Sequence, residues 1–114
     1  MSDEFKREIE AVIAADDADE LLGVVIELAM VGEDFDWAQE RLLELAVHPN
    51  TDVRGNALIG LAHLADRFAG LDAARVRPAI EAGLRDAKHH VSEQAEAARE
   101  ALRASLGWWD DEDA

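Results

Sequence analysis

The 114-residue chain has no cysteine, no tyrosine and only two prolines. Without cysteine it has neither a disulfide framework nor a thiol nucleophile. No segment approaches the roughly 18 consecutive apolar residues that a membrane-spanning helix needs, and residues 1–6 lack the apolar stretch of a secretion signal. We therefore expect a cytoplasmic protein without a membrane partner. Scarce proline and abundant Ala, Leu, Glu and Arg favour an all-helical fold.

Basic residues are also scarce, and the net charge of −15 is unevenly distributed. Residues 1–36 hold twelve acids and two bases (net −10), residues 37–107 hold ten acids and nine bases (net −1), and residues 108–114 hold four acids (net −4). Phosphate binding needs a basic surface, so nucleic acid is not an expected direct partner. Acidic ends favour a basic protein partner, whose association such a field accelerates. The alternative is that they only keep the protein soluble.

Apolar residues at spacings of three and four predict six helices, with breaks near residues 16–19, 32–36, 48–51, 70–72 and 87–90. The second helix, ending near Met30, is apolar around most of its circumference, and we expect burial on several sides. Gly70 is expected to end the fourth helix, and Pro78 to lie near the first turn of the fifth or to kink it. The expected core of the fourth helix is Val53, Ala57, Leu61, Leu64 and Phe68.

An internal repeat organises these helices. A shift of 38 residues superposes several apolar positions: Val53 on Val91, Ala57 on Ala95, Leu64 on Leu102, and Phe68 on Leu106. The same shift applied backwards places the start of the second helix near Ala15. We therefore predict a short α-solenoid of about three antiparallel helical hairpins, each too small to bury its own apolar face. One domain covers residues 1–107, and residues 108–114 form an acidic tail that contains tryptophan.

Two segments carry a family resemblance. The last repeat reads Val76-Arg77-Pro78-Ala79-Ile80, then Leu84-Arg85-Asp86, then Val91 and Ala95, and it resembles a HEAT repeat: proline in the first helix, Leu-x-Asp near the turn, and Val-Arg-x-x-Ala opening the second. Val53-Arg54-Gly55-Asn56-Ala57 matches that opening fully, whereas Ser92 replaces the arginine in the last copy. The resemblance covers residues 37–107, and periodicity extends it to the rest.

The HEAT resemblance implies that the second helix of each hairpin lines a concave surface that binds other macromolecules. The whole chain is similar, more loosely, to small acidic bacterial proteins of this architecture that neutralise toxins of interbacterial competition. The resemblance thus implies binding rather than catalysis.

Three groups of residues are candidates for partner binding. In the fourth helix, a mixed polar and apolar stripe recurs at three- and four-residue steps: Asn56, Ile59, His63 and Arg67. Acids follow the first helix: Asp16, Asp17, Asp19 and Glu20. The tail offers aromatic anchors beside carboxylates: Trp108, Trp109, Asp110 and Asp111. The alternatives are that Ile59 packs against neighbouring helices with His63 partly buried, that the first acids are solvated caps, and that one tryptophan covers the end of the core.

Patterns for catalysis or metal binding are weak. The chain has no GxGxxG, no GxxxxGK[ST] and no GxSxG. Acids at residues 16–20 and 33–36 lack the glycine and distal glutamate of a calcium loop. Adjacent His89 and His90 point in different directions, and no nucleophile accompanies His63. We predict no catalytic residue, no metal site and no cofactor.

The leading interpretation is a non-enzymatic protein-binding module, an immunity-type protein that neutralises a basic toxin domain, such as a nuclease, by occlusion. The alternative is a general HEAT-repeat scaffold or adaptor protein. A third interpretation, from a different class, is an enzyme accessory or lyase-like protein on a helical-repeat frame. We expect a monomer.

Overall fold

Six α-helices and no strand form within residues 3–109, the part of the chain that the computed structural model describes. They are α1 (Asp3–Ala15), α2 (Ala18–Met30), α3 (Phe35–Leu45), α4 (Thr51–Phe68), α5 (Ala73–Leu84) and α6 (His89–Leu106). The all-helical fold predicted from composition and periodicity is confirmed.

Side-chain caps define where the helices begin. Asp17, Asp34, Asn50 and Asp72 precede α2, α3, α4 and α5, and each side chain accepts a hydrogen bond from backbone N–H groups of the first turn. Such a cap satisfies donors that have no partner within the helix. Each of these four helices therefore begins directly after its capping residue.

Two predictions about helix ends were less accurate. The α4 helix ends at Phe68, and Ala69, not Gly70, follows it in the left-handed conformation (φ 58°). The Ala69 N–H donates to the Ala65 carbonyl. Pro78 was expected near the first turn of α5 or at a kink, and it lies in the second turn of the helix, which begins at Ala73 directly after the expected start at Asp72. Gly107 ends α6 in the left-handed conformation (φ 72°).

The helices form three stacked hairpins, α1–α2, α3–α4 and α5–α6, in a slab of 46 × 30 × 18 Å. The even-numbered helices pack directly side by side, with α4 between α2 and α6. The odd-numbered helices form the second layer, where neighbours meet mainly through long side chains. Closer approach on the even-numbered side is how helical repeats acquire a concave surface.

The hairpins are not equally spaced along the chain. The N-caps of α4 and α6, Asn50 and Lys88, are 38 residues apart, whereas Asp17 and Asn50 are 33 apart. The prediction that a 38-residue shift places the start of α2 near Ala15 was therefore off by a few residues. The α2 helix has 13 residues against 18 in α4 and α6, so the first repeat is shorter.

The core runs along the junction of the two layers. Four predicted core residues of α4, Val53, Ala57, Leu61 and Leu64, have no exposed surface. Phe68 was predicted to join them but is 37% exposed, because it lies at the end of the helix, where its ring meets Phe35 at 5.4 Å between centroids and the Arg67 guanidinium at 5.0 Å.

Ion pairs join consecutive hairpins outside the apolar core: Lys6 with Asp34 at 2.6 Å, Arg75 with Glu40, and Arg54 with Asp86 at 2.9 Å. The Arg54 guanidinium also donates to the carbonyls of His48 and Pro49, so one side chain ties two turns together. Two hydrogen bonds lower the pKa of the Asp86 carboxyl, and the one from Arg54 has a larger effect than the one from the Lys88 N–H.

Candidate functional site

A groove of about 390 Å³ separates α2 from α4 on the even-helix face. Buried Val25, Ala29 and Gly60 contribute to its lining, and Gly60 has no side chain that would fill it. The remaining lining residues are Ile26, Met30, Asn56, Ile59 and His63. Because apolar side chains dominate this lining, we call it the apolar groove.

The α2 wall of the apolar groove combines buried Val25 and Ala29 with exposed apolar side chains. Ile26 is 62% exposed and Met30 is 54% exposed, and Val31, directly after the helix, is 56% exposed. The expectation that α2 is buried on several sides is confirmed for the sides that face its neighbours, where Leu21, Val24 and Leu28 are buried. As the short inner helix of the end hairpin it contacts α1, α3 and α4, and the side away from them has no cover among residues 3–109. Exposed apolar patches of this kind are typical of interaction sites.

The predicted stripe of α4 forms the opposite wall. Asn56, Ile59 and His63 all line the apolar groove. One turn further on, Arg67 donates from Nη1 to the Ala29 carbonyl at 3.1 Å and so ties α4 to the last turn of α2. The structure thus brings the four residues to one side of α4, while Arg67 has a structural contact of its own. Their role in partner binding stays a prediction.

The four acidic residues after α1 form two pairs, one in the turn before α2 and one in the first turn of α2. Asp17 caps α2, and Asp16, in the left-handed conformation (φ 56°), contacts His48 Nε2 at 2.6 Å. Both residues therefore support the turn between α1 and α2. Asp19 and Glu20 are exposed in the first turn of α2, where the helix dipole favours carboxylates.

A second groove of about 330 Å³ runs between α1 and α2. Three carboxylates line it, those of Glu8, Glu20 and Glu27, together with Ile9, Val12, Gly23 and Val24. We call it the acidic groove. It shares α2 with the apolar groove, so that helix presents carboxylates toward α1 and apolar side chains toward α4.

The two tryptophans of the tail differ in exposure. Trp109 is 4% exposed, its Nε1–H donates to Glu81 at 3.3 Å, and the Arg77 guanidinium lies 5.1 Å from its ring centroid. It covers the end of the core against α5, the alternative that the sequence left open, and so offers little surface to a partner. Trp108 is half-buried and meets Trp109 edge-on. Asp110 and Asp111 lie outside the described residues.

The described part of the chain contains no group of three or more His, Asp or Glu side chains placed to hold a metal ion. His89 contacts Glu93 one turn along α6, and His90 Nε2 lies 3.1 Å from Asn56 Oδ1. In residues 3–109, no helix combines the length and apolar character that crossing a bilayer requires.

Sequence reasoning missed the α2 half of the apolar groove. The sequence did not indicate that Ile26 and Met30 would be exposed, because a helix that is apolar all round has no polar face to mark its exposed side. One feature of the sequence could have indicated this. Because α2 belongs to a terminal hairpin, it has fewer neighbouring helices than α4, and some of the apolar side chains around it must stay exposed.

No family model and no curated protein sequence matches this chain. Its fold is similar to that of a chain in the crystal structure of a CDI complex from Cupriavidus taiwanensis LMG 19424, with a TM-score of 0.76 and 25% sequence identity. The alignment covers 89% of this chain and 88% of that chain, so the likeness extends across nearly the whole length of both.

Proposed function

We propose that this chain is a non-enzymatic binding protein of the immunity type, which neutralises a basic toxin domain by occlusion. The observation that carries the proposal is the structural likeness to a chain of a CDI complex over nearly its full length. CDI denotes contact-dependent inhibition, in which a toxin and an immunity protein form the complex. A protein with this role would act in the cytoplasm, where a delivered toxin meets its target.

The apolar groove supports a binding role. Its exposed side chains Ile26 and Met30, and the partly buried Ile59, would lose contact with water when a partner covers them. Burial of apolar surface is the main favourable term in association. Interface energy also concentrates in a few central apolar contacts surrounded by polar residues, and His63 and Asn56 supply polar groups beside them.

Charge supports a basic partner. The α1–α2 hairpin, Asp3–Met30, has nine acids and two bases, a net charge of −7. Such a field speeds the approach of a cationic protein and repels an anionic one. A toxin that acts on nucleic acid needs lysines and arginines to hold phosphates. Carboxylates that pair with those side chains would occlude the toxin's own substrate site.

We also propose that the repeats are of the HEAT type. Arg54, from the Val-Arg opening of α4, donates from Nε and Nη2 to both carboxylate oxygens of Asp86, the acid of the following Leu-x-Asp. The two motif residues that the resemblance singled out therefore meet across consecutive hairpins. This contact between the two motif residues supports the HEAT interpretation.

Co-expression tests the proposed function. The chain is produced with the product of the gene directly upstream of its own, and growth and co-purification are measured with and without it. We expect the upstream product to slow growth alone, and this chain to restore growth and to co-purify with it in a salt-sensitive complex. A complex with a non-toxic partner would favour the scaffold alternative instead, and no complex would contradict the immunity proposal.

A matched pair of variants ties the result to the apolar groove. Ile26→Gln with Met30→Gln removes apolar surface from the groove, whereas Val47→Gln changes a residue that is 78% exposed in the turn between α3 and α4. We expect the first variant to weaken the complex at least about tenfold, the loss of a moderate hot spot. We expect the Val47 variant to bind like the unaltered protein. Equal affinities for all three proteins would remove the groove from the interface.

A further inference from the structure

Gly23 lies in the middle of α2, where glycine is less favourable than alanine because it has more conformational freedom to lose on folding. Its backbone is helical and its φ is not positive, so the conformation does not require glycine. A Cβ added there meets nothing within 4 Å among residues 3–109, apart from the backbone of its own helix turn. The fold itself therefore gives no reason for glycine at this position.

The other helical glycines differ in this respect. A Cβ at Gly60 would lie 3.3 Å from the Leu42 side chain, and one at Gly83 would lie 2.5 Å from that of Leu58. A Cβ at Gly55 would lie 2.7 Å from the His90 ring. These three glycines permit neighbouring helices to approach each other. Since Gly23 has no such neighbour, the space above it is available to something outside the described chain.

The location of Gly23 relative to the two grooves indicates what could occupy this space. It lines the acidic groove. On a helix, residues three and four positions apart are neighbours on one face, so Gly23 is adjacent to Ile26, which lines the apolar groove, and to Glu27, which lines the acidic groove. Gly23 is thus a low point on the ridge of α2 between the two grooves.

We propose that an extended segment of a basic partner protein crosses α2 at Gly23, with an apolar side chain in the apolar groove and lysine or arginine in the acidic groove. This inference rests on the proposed function and names the recognition element. Glycine allows another backbone to approach closely, which suits an extended segment that lies across the helix.

Charge favours a basic protein segment over a second copy of this protein, nucleic acid or anionic lipid. The acidic groove is lined by three carboxylates and, within the described chain, by no cation. A second copy of this protein would bring the same net charge of −15 to the surface and would be repelled. Nucleic acid and anionic lipid are repelled in the same way. A protein segment that carries both an apolar and a cationic side chain can occupy both grooves at once.

The width of the helix sets the spacing of that segment. A helix with its side chains is about 10 Å across, so the apolar anchor and the cation are separated by about that distance. An extended chain advances about 3.3 Å per residue. The expected pattern in the partner is therefore an apolar or aromatic residue about three positions from lysine or arginine.

Labelled peptides test this pattern without knowledge of the partner. The probe is a fluorescein-labelled peptide, Ser-Gly-Trp-Ser-Gly-Arg-Arg-Ser-Gly, and its anisotropy is measured at low salt. One control peptide replaces Trp with Ser, and the other replaces both Arg with Glu. We expect saturable binding of the probe and at least tenfold weaker binding of each control. No saturable binding of the probe at about 1 mM, or equal binding of a control, would overturn the proposed occupant.

Three protein variants locate the crossing point. Gly23→Gln places an uncharged side chain on the ridge, Gly23→Ala adds only a methyl group, and Ala104→Gln makes the matched change at an exposed position of α6. We expect Gly23→Gln to weaken probe binding at least tenfold, Gly23→Ala to weaken it less, and Ala104→Gln to leave it unchanged. Thermal melts of the Gly23 variants should be at or above that of the unaltered protein, which excludes misfolding as the cause.

The same variants separate this inference from the proposed function. If the upstream gene product binds and Gly23→Gln leaves its affinity unchanged, the crossing at Gly23 is wrong while the immunity function stands. If the upstream product does not bind but the peptide does, with sensitivity to Gly23→Gln, the surface is established and the immunity function is wrong.

Discussion

The first and last hairpins share one architecture but present opposite surfaces. The α1–α2 hairpin has a net charge of −7, whereas the α5–α6 hairpin, Ala73–Leu106, has five acids and six bases, a net charge of +1. The first leaves Ile26 and Met30 exposed, and the last is covered at its end by Trp109. A repeat stack must seal its ends against water, and we propose that the charged hairpin with exposed apolar side chains is the one that meets a partner.

The contact of each hairpin with α4 shows the same difference. On the α6 side, Gly55 of α4 lets the two helices pack directly, since a Cβ there would lie 2.7 Å from the His90 ring. On the α2 side, larger side chains stand at the surface and leave the apolar groove open. The central helix therefore has one side that serves the fold and another that is available for binding.

The largest expected effect comes from the core of α4, the helix on which both end hairpins pack. Leu64 of α4 is fully buried, so Leu64→Ala should lower the free energy of unfolding by about 2–5 kcal/mol, through lost burial and the cavity left behind. Ile26→Ala makes a comparable truncation at a side chain that is 62% exposed and should change stability by less than about 0.5 kcal/mol. Urea unfolding of both variants measures the difference. Equal losses would mean that Ile26 belongs to the core.

The second prediction contrasts two glycines, one in each end hairpin. Gly83→Ala in α5 would bring a Cβ to 2.5 Å from Leu58 Cδ1 and 3.0 Å from the Ala95 Cβ, and we expect a loss of up to about 2 kcal/mol from overpacking. Gly23→Ala in α2 meets no such contact and should raise stability by about 0.5–1 kcal/mol, the helix preference for alanine. Thermal melts that shift in the same direction would contradict this contrast.

Much of the fold was predictable because its signals are local. Asn50 and Asp72 mark helix starts through their own hydrogen bonds to the following turn. Gly107 marks a helix end because it adopts a positive φ easily. The burial of Leu61 and Leu64 follows from helical periodicity within α4 alone. None of these inferences requires knowledge of which helices are neighbours.

The inaccurate predictions depend on neighbours. Phe68 continues the apolar stripe of α4, but its exposure is decided by the absence of a further covering helix at that end within the described chain. Ile26 and Met30 are exposed because no other element of the described chain covers the groove between α2 and α4 that they line. The α4 half of the candidate site was predictable because its stripe mixes polar and apolar residues. The α2 half was not, since a uniformly apolar helix gives no indication of which side lacks a partner.

The smallest effect concerns the ion pair that fastens the last hairpin to α4. Arg54 and the Lys88 N–H hold the pKa of Asp86 below its ordinary value of 3.8, so the folded state favours the carboxylate. A lowered pKa contributes stability that is present above the ordinary value and is lost as the pH falls through the lowered one. Asp86→Asn should therefore lower the melting temperature at pH 7, and the difference from the unaltered protein should shrink as the solution becomes acidic.

Asp66→Asn, at an exposed position of α4, is the matched control and should cause little change at any pH. Melting temperatures measured for the three proteins between about pH 7 and pH 2 give the comparison. A deficit of Asp86→Asn that stays constant across this range would show that the amide disturbs the turn itself. In that case the charge of Asp86 would contribute nothing to holding the last hairpin, and apolar packing on α4 alone would secure it.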